Sequence, residues 1–497
     1  MKGINPLFPN TALPVLFGAL ALVTGCKVGP DYKRPEATTI PATYTGATNV
    51  VATDATNTWK VAEPQAQLPK GNCWEIFGDS ELDELERQAL IANQQLNVAV
   101  ARLEEARAQM NITRAGLFPN VSVSGSFTRQ RTSPNAPSTA TGKAFGTTST
   151  FNDLFVPLTV GYEVDLWGRV RRSVESARAQ MEASADDIET IKLMIQAEVA
   201  VDYFTLRALD AQKQVLTSSV EVFTKSLQLT QNLRAGGAVS DLDVAQAQTV
   251  LKTTQAQLPS VVLQRTQFEH ALALLVGQPA SGFHISEHPL STAPPLIPPE
   301  MPSELLERRP DIAAAERRMA SANASIGVAK AAFFPTVQLN GLAGFESVSA
   351  GSLFNWSSRV WAVGPSITLP IFEGGRLRAG LQFAKATYDE MVATYRQTVL
   401  GAFSEVEDSL AAQTLLANQY AAESDALVAA RKQLEIVNNQ YRDGLITYLE
   451  VATAESTELN VEFTATQLRG QQLVAAVTLV KALGGGWQTT TEQVKAY

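Results

Sequence analysis

Residues 169–235 contain neither glycine nor proline, so nothing local gives the chain a reason to turn. At 1.5 Å of rise per residue such a helix is about 100 Å long, far more than a compact domain can wrap around a core. Leu216, Val220, Phe223 and Leu227 recur at a 4-3-4 spacing among Ala, Gln, Ser and Thr. That is the narrow seam of a coiled coil rather than the wide apolar face of a globular helix. The segment "RAGGAVSDLDVAQAQ" breaks this helix with paired glycines and starts a return helix at Ser240 or Asp241, both good N-caps, that runs to about Val276.

The same plan occurs twice. "FPNVSVSGSF", residues 118–127, is followed 216 positions later by "FPTVQLNGLAGF", residues 334–345. Leu96, Ala99, Arg102 and Ala106 match Ile312, Ala315, Arg318 and Ala322 at that offset. "FEGGR" stands in for "LWGR", and a second long proline-free helix carries Leu427, Ala430, Leu434, Val437 and Tyr441 on a 3-4-3-4 seam. "YRDGLITYLEVATAE" then matches the first glycine turn at an offset of 207; a longer hairpin loop in the first half accounts for the drop. Each half is a helix, a strand, a loop, a strand, a long helix, a glycine turn and a return helix.

The strands alternate. Val121, Val123, Gly125 and Phe127 interleave with Ser122, Ser124, Ser126 and Thr128, and residues 156–166, 337–345 and 361–371 repeat the pattern. Period two means one apolar and one polar face. Strands of about ten residues with such faces suit a membrane β-barrel, apolar row to lipid, but the smallest barrels need about eight. Four strands therefore imply that several chains share one barrel, unless the two hairpins are simply exposed on a soluble protein. Proline cannot continue a helix and an aromatic ring suits the headgroup belt, so each Phe-Pro step marks a helix yielding to a membrane strand.

The N-terminus agrees with a membrane destination. Lys2, an apolar run from Leu13 to Val23 and small residues before Cys26 form a signal peptide too short to span a bilayer. "VTGC" resembles the bacterial lipobox, which implies cleavage before Cys26, diacylglycerol on its thiol and an acyl chain on its amine; Lys27 after it implies transport to the outer membrane. Cys73 is the only other cysteine, which leaves no partner for an intrachain disulfide. The net charge of -9 and the lack of a long basic run argue against nucleic acid. His270, His284 and His288 lack metal-ligand spacing, and no nucleophile elbow, HExxH or phosphate loop is present. No enzyme, metal or cofactor is expected.

"GCKVGPDYKRP", "FGDSELDELERQAL", "VDLWGRVR", "ERRPDIAAAERRMASANASIGVAKAAFFP", "LPIFEGGR" and "YRDGLITYLEVATAE" together resemble the TolC-like outer-membrane efflux proteins, in the lipoprotein (NodT-like) branch that serves resistance-nodulation-division (RND) pumps. The resemblance implies a mainly α fold with a small membrane β-barrel. Three chains would give twelve strands in one barrel and twelve helices in an α-barrel tunnel, gated at the helical turns. It implies an exit duct for small molecules such as drugs, with a periplasmic adaptor (membrane fusion) protein, an inner-membrane RND pump and outer-membrane lipid as partners. On this plan residues 1–25 are the signal peptide and 26–79 an acylated extended tether. Residues 80–276 are the first repeat with its hairpin at 120–166, and 277–303 a Pro-rich equatorial connector. The second repeat is 304–484 with its hairpin at 336–372, and 485–497 form a tail.

The resemblance further implies adaptor docking on Gly237, Ala238, Val239 and Ser240 and on Gly444, Leu445, Ile446 and Thr447, though these residues also suit plain helix caps. Tyr441 matches the tyrosine that holds the closed state, while Ile446 stands where the family has an arginine. Glu450 fits one acidic constriction position and Thr453 replaces the other; Asp241 and Asp243 are further constriction candidates, with N-capping as their alternative role. A ring of Glu450 side chains would attract cations. Two other functions remain open: an outer-membrane channel of a type I secretion system that exports proteins, and a lipid-anchored periplasmic coiled-coil scaffold.

Overall fold

A computed structural model describes residues 27–35, 73–135, 148–290, 293–295, 297 and 308–485. The signal peptide, Cys26, most of the tether, much of the connector and nearly all of the tail lie outside the described residues. Contacts divide the chain into two units. The first comprises the described part of Met1–Pro35 with Leu103–Glu182 and Glu316–Thr394; the second comprises the described parts of Glu36–Arg102, Ala183–Ala315 and Tyr395–Tyr497.

The helices are α1 (Ser80–Ala92), α2 (Gln94–Ala115), α3 (Arg169–Ala235), α4 (Asp241–Leu275), α5 (Pro310–Ala331), α6 (Arg376–Arg442) and α7 (Tyr448–Ala482); the strands are β1 (Asn120–Val123), β2 (Ser126–Arg131), β3 (Thr150–Val164), β4 (Thr336–Ser347) and β5 (Arg359–Thr368). α3 and α6 are 67 residues each, and α4 and α7 are 35 each, so the duplication read from the sequence holds in the elements themselves. Among the described residues no helix is long and apolar enough to cross a membrane.

The apolar periodicity predicts one helix from Ser80 to Gly116, but the chain breaks it at Asn93. The Asn93 side-chain oxygen accepts from Gln95 N at 2.8 Å and Leu96 N at 3.3 Å, starting α2, while its amide donates to the Leu275 carbonyl at 2.9 Å. A buried asparagine that caps one helix and ties to the end of another outcompetes the continuing ladder. The periodicity does not register such a residue because it leaves the apolar positions where they were.

In the second unit, Leu216 and Phe223 are buried with Leu209, Leu251, Val261 and Leu459, and Val220 and Leu227 pack beside them. The seam residues thus meet α4 and α7. Arg265 reaches Asp210 at 2.6 Å and the Ile285 carbonyl at 2.7 Å, and Arg207 donates to the Ser286 carbonyl at 2.6 Å. This buried charge cluster clasps the start of the connector to α3 and α4. Its parts are scattered over some eighty residues, and no motif announces them.

In the first unit, the sheet is antiparallel in the order β1-β3-β4-β5, with β2 also on β3. β1 and β2 keep one register: Val123 faces Leu158 and Ser126 faces Phe155. Pro157 lies opposite the break and has no N–H to give to the ladder. They are one interrupted strand. β3 begins six residues before the predicted start because Thr150 pairs with Arg131. β5 ends at Thr368, short of the alternation that runs to Ile371.

Candidate functional site

Two surfaces carry the functional expectations, one in each unit. The first is the sheet. Its register sets Val121, Val160, Gly341 and Val363 in one row across the strands, and Val123, Leu158, Ala343 and Trp361 in the next. Val121, Val123, Trp361 and Val363 are between 58% and 78% exposed. Because side chains alternate across a strand, the residues between them form the other face. There Ser122 and Thr159 hydroxyls hydrogen-bond at 2.7 Å and Asn340 donates to Ser366 at 3.0 Å. A sheet that is apolar outward on one face and hydroxyl- and amide-lined on the other is a wall between oil and water. The interrupted β1/β2 strand and β5 are its two edges.

The strands are joined to helices at built junctions. Trp167 stacks on Phe334 at 4.7 Å between ring centroids and donates its indole N–H to the Pro335 carbonyl at 2.8 Å. One Phe-Pro step is therefore locked to the start of α3, whereas Phe118 of the other is 62% exposed.

The second surface is the pair of interhelical turns in the second unit. Gly237 and Gly444 have φ of +76° and +73°. Ala238 N donates to Leu233 O and Leu445 N to Gln440 O, both at 2.9 Å, so each turn closes with the same six-to-one bond. Only glycine takes that left-handed conformation without strain. The return helices start differently. Ser240 caps α4 in a reciprocal box, its own N–H and hydroxyl donating to Asp243 at 2.8 and 2.6 Å. Thr447 makes no side-chain cap to α7; its hydroxyl donates to Glu450 at 2.6 Å.

The sequence-expected residues are thus brought together only in part. Asp241 is held by Arg234 of its own hairpin, at 2.7 and 3.0 Å, and this guanidinium keeps its carboxyl below the usual range. Asp243 lies lower than usual as well, first because of the Ser240 hydroxyl, and its other oxygen accepts from Tyr448 N at 3.3 Å. Glu450 is exposed, and the Thr447 hydroxyl favours its ionised form. Tyr441 is buried, its hydroxyl 3.4 Å from Thr230 and its ring edge-on to Tyr448 at 5.5 Å. Gly237, Ala238, Ser240, Gly444, Leu445 and Thr447 are exposed, and Val239 and Ile446 are half-covered and pack against the Tyr441–Tyr448 cluster. Two residues went unread in the sequence: Tyr448 and Glu455, whose side chains hydrogen-bond in the buried interior at 2.8 Å. Their seven-residue spacing on α7 is the signal that could have found them, since it puts both on one helix face.

Among the described residues no group of three or more His, Cys, Asp and Glu could hold a metal ion. The family model described as outer membrane efflux protein matches residues 85–278 and 301–485, once for each half of the duplication. The antibiotic efflux pump outer membrane protein ArpC of Pseudomonas putida is 33% identical over 490 residues, covering 95% of both chains. The outer membrane protein OprJ of Pseudomonas aeruginosa is 34% identical over 492 residues, covering 97% of both. The solved structure of the outer-membrane channel OprN superposes with a TM-score of 0.82 at 31% identity, over 93% of this chain and all of that one. Relatives at this identity and coverage carry channel and efflux names rather than enzyme names, and the chain belongs to the outer membrane efflux protein family.

Proposed function

We propose that this protein is the exit duct of a tripartite RND-type efflux system: a trimer whose sheets join edge to edge into a twelve-stranded barrel and whose helices line a tunnel. Small molecules delivered by an inner-membrane pump through a periplasmic adaptor pass along it to the exterior, and Cys26 is lipid-anchored. The observation that carries this reading is the four-stranded sheet with one apolar and one polar face and two open edges. A sheet of that kind satisfies its edge N–H and C=O groups in lipid only by closing with other copies. The named role of ArpC in an efflux pump supports the assignment to efflux.

The adaptor docks on Gly237 to Ser240 and Gly444 to Thr447, where the backbone is accessible. Tyr441 holds the resting state, Asp241 and Asp243 fasten the first turn, and ionised Glu450 rings the constriction.

Light scattering on protein extracted from outer membranes in mild detergent tests the reading. Three chains per particle, about 150 kDa of protein, is the expected result for a shared barrel of this strand number. A stable monomer overturns it. In planar bilayers, Glu450→Gln should reduce the preference for cations over anions about two- to fivefold; unchanged reversal potentials would remove Glu450 from the constriction.

A further inference from the structure

Glu455 is 1% exposed, and no part of the duct reading uses it. A carboxyl is costly to bury without partners, yet this one sits where four helices meet. The Tyr448 hydroxyl donates to Glu455 at 2.8 Å and lies 3.1 Å from the Ser226 hydroxyl of α3. The Tyr448 backbone N–H donates to Asp243 of α4, and its ring packs on Tyr441 of α6. Ala247, Val451 and Ala452 complete the buried cluster. One tyrosine on α7 thus touches the other three helices, and Glu455 fixes its far end.

Near the turns, the charged pair of the first hairpin closes on itself, because Arg234 holds Asp241. Ile446 offers no cation from the second hairpin. What crosses between the hairpins there is the hydroxyl and carboxyl network of Tyr448, joined by the longer Tyr441–Thr230 contact.

We propose that Tyr448 and Glu455 are gate-positioning residues, tying the α6–α7 hairpin to the α3–α4 hairpin of the same chain and holding the turn that carries Thr447 and Glu450 at rest. This rests on the gated-duct reading. Releasing the tie lets that turn drift and widens the resting aperture. The tie also responds to pH. Burial raises the Glu455 carboxyl above its ordinary range and outweighs the Tyr448 and Ser226 hydroxyls, whose hydrogen bonds favour the ionised form, so the fold on balance favours the protonated form and loses that contribution as pH rises through the raised value. The groups that bear on it directly are the hydroxyls of Tyr448 on its own helix and of Ser226 on α3; Tyr441 of α6 and Asp243 of α4 reach it only through Tyr448. None is a cation that would offset the cost of burying the carboxylate once it forms.

Single-channel recording of the full-length protein in planar bilayers tests this. Tyr448→Phe and Glu455→Leu should each raise resting open probability about three- to tenfold, the weight of one hydrogen bond. The double variant should do no more than the larger single, because both remove the same tie. Wild-type open probability should climb with pH, and Glu455→Gln, which keeps a neutral hydrogen-bonding group, should stay closed and lose that climb. A purely structural role would lower the melting temperature of the oligomer and leave open probability unmoved. Tyr448→Phe removes a single oxygen and keeps the test alive if Glu455→Leu fails to assemble. Wild-type channels indistinguishable from both single variants would overturn the tie alone. Wild-type protein that inserts without conducting would overturn the duct, and the tie with it.

Discussion

The two strand-to-helix junctions that follow β3 and β5 are copies of one another, finished in different ways. In the first, Asp165 accepts from Val170 N at 3.1 Å and Arg171 N at 2.8 Å, capping α3. Arg172, fully buried, then reaches back across the sequence to the Val28 and Gly29 carbonyls and to Asp31. Lys27 pairs with Glu175 at 2.6 Å, Asn323 donates to the Pro30 carbonyl and Tyr32 donates to Glu316. In the second junction Phe372 stands at the position of Asp165 and Ala379 at that of Arg172. Ile371 and Phe372 are 93% and 90% exposed. The first junction is closed by its own chain; the second presents bare apolar surface. Duplication preserved the backbone plan, and the side chains divided the work: one copy seats residues 27–35, and the other leaves its apolar surface uncovered by its own chain.

The largest expected effect comes from breaking the closed junction. Arg172→Ala removes a buried cation whose hydrogen bonds to two backbone carbonyls are charge-assisted, and should cost about 2–4 kcal/mol in the local stability of residues 27–35. Gly327→Ala should do similar damage, since a Cβ there would lie 2.9 Å from the Arg172 side chain, while Gly29 itself abuts the Gly327 backbone. Limited proteolysis checks this: cleavage near residue 30 should become fast in either variant. Ala379→Ser, at the matching place in the other half, should leave proteolysis unchanged, and equal sensitivity of the two sites would dissolve the contrast.

The open junction should fail differently. Phe372→Ser removes apolar surface that one chain leaves uncovered, so the monomer should fold as before and the assembled state should lose about 2–3 kcal/mol per site, the worth of burying such a ring. The fraction of assembled protein in mild detergent, followed against protein concentration, measures it. If the monomer unfolds instead, Phe372 is packed within its own chain and the comparison is wrong.

Much of this architecture was legible because it rests on long periodic patterns. The limits of α3, the glycine turns and the strand alternation follow from 3.6- and 2-residue repeats and from residues that cannot continue them. The duplication doubled each signal. What escaped were residues that act once and at long range. Asn93 splits a helix without disturbing its apolar stripe, Pro157 interrupts a ladder on the strand opposite, and Arg172 meets residues more than 140 positions away. The tip residues were legible as positions but not as partners: Asp241 and Asp243 look equivalent in sequence, yet one answers Arg234 and the other caps a helix and meets Tyr448.

The smallest effect separates the two tips. Ser240 and Thr447 both precede a return helix, but only Ser240 makes a capping box. Ser240→Ala should therefore cost about 1 kcal/mol in the local stability of the first turn of α4, and Thr447→Ala should cost less than half as much at α7, because the hydroxyl lost there serves Glu450 rather than the backbone. Amide hydrogen exchange at Asp243 and at Glu450 reads the two sites separately. The pH dependence sharpens the contrast. Hydrogen bonding by Ser240 lowers the Asp243 carboxyl, so the box is fully formed above the ordinary carboxylate range and is lost as pH falls through the lowered value. Acid should accordingly accelerate opening of the α4 start relative to neutral pH, and Ser240→Ala should weaken that acceleration, leaving the part carried by the backbone N–H groups of residue 240 and Tyr448. Equal protection at the two helix starts would mean that the packing of Tyr441 and Tyr448, shared by both hairpins, sets tip stability and that the caps add nothing to it.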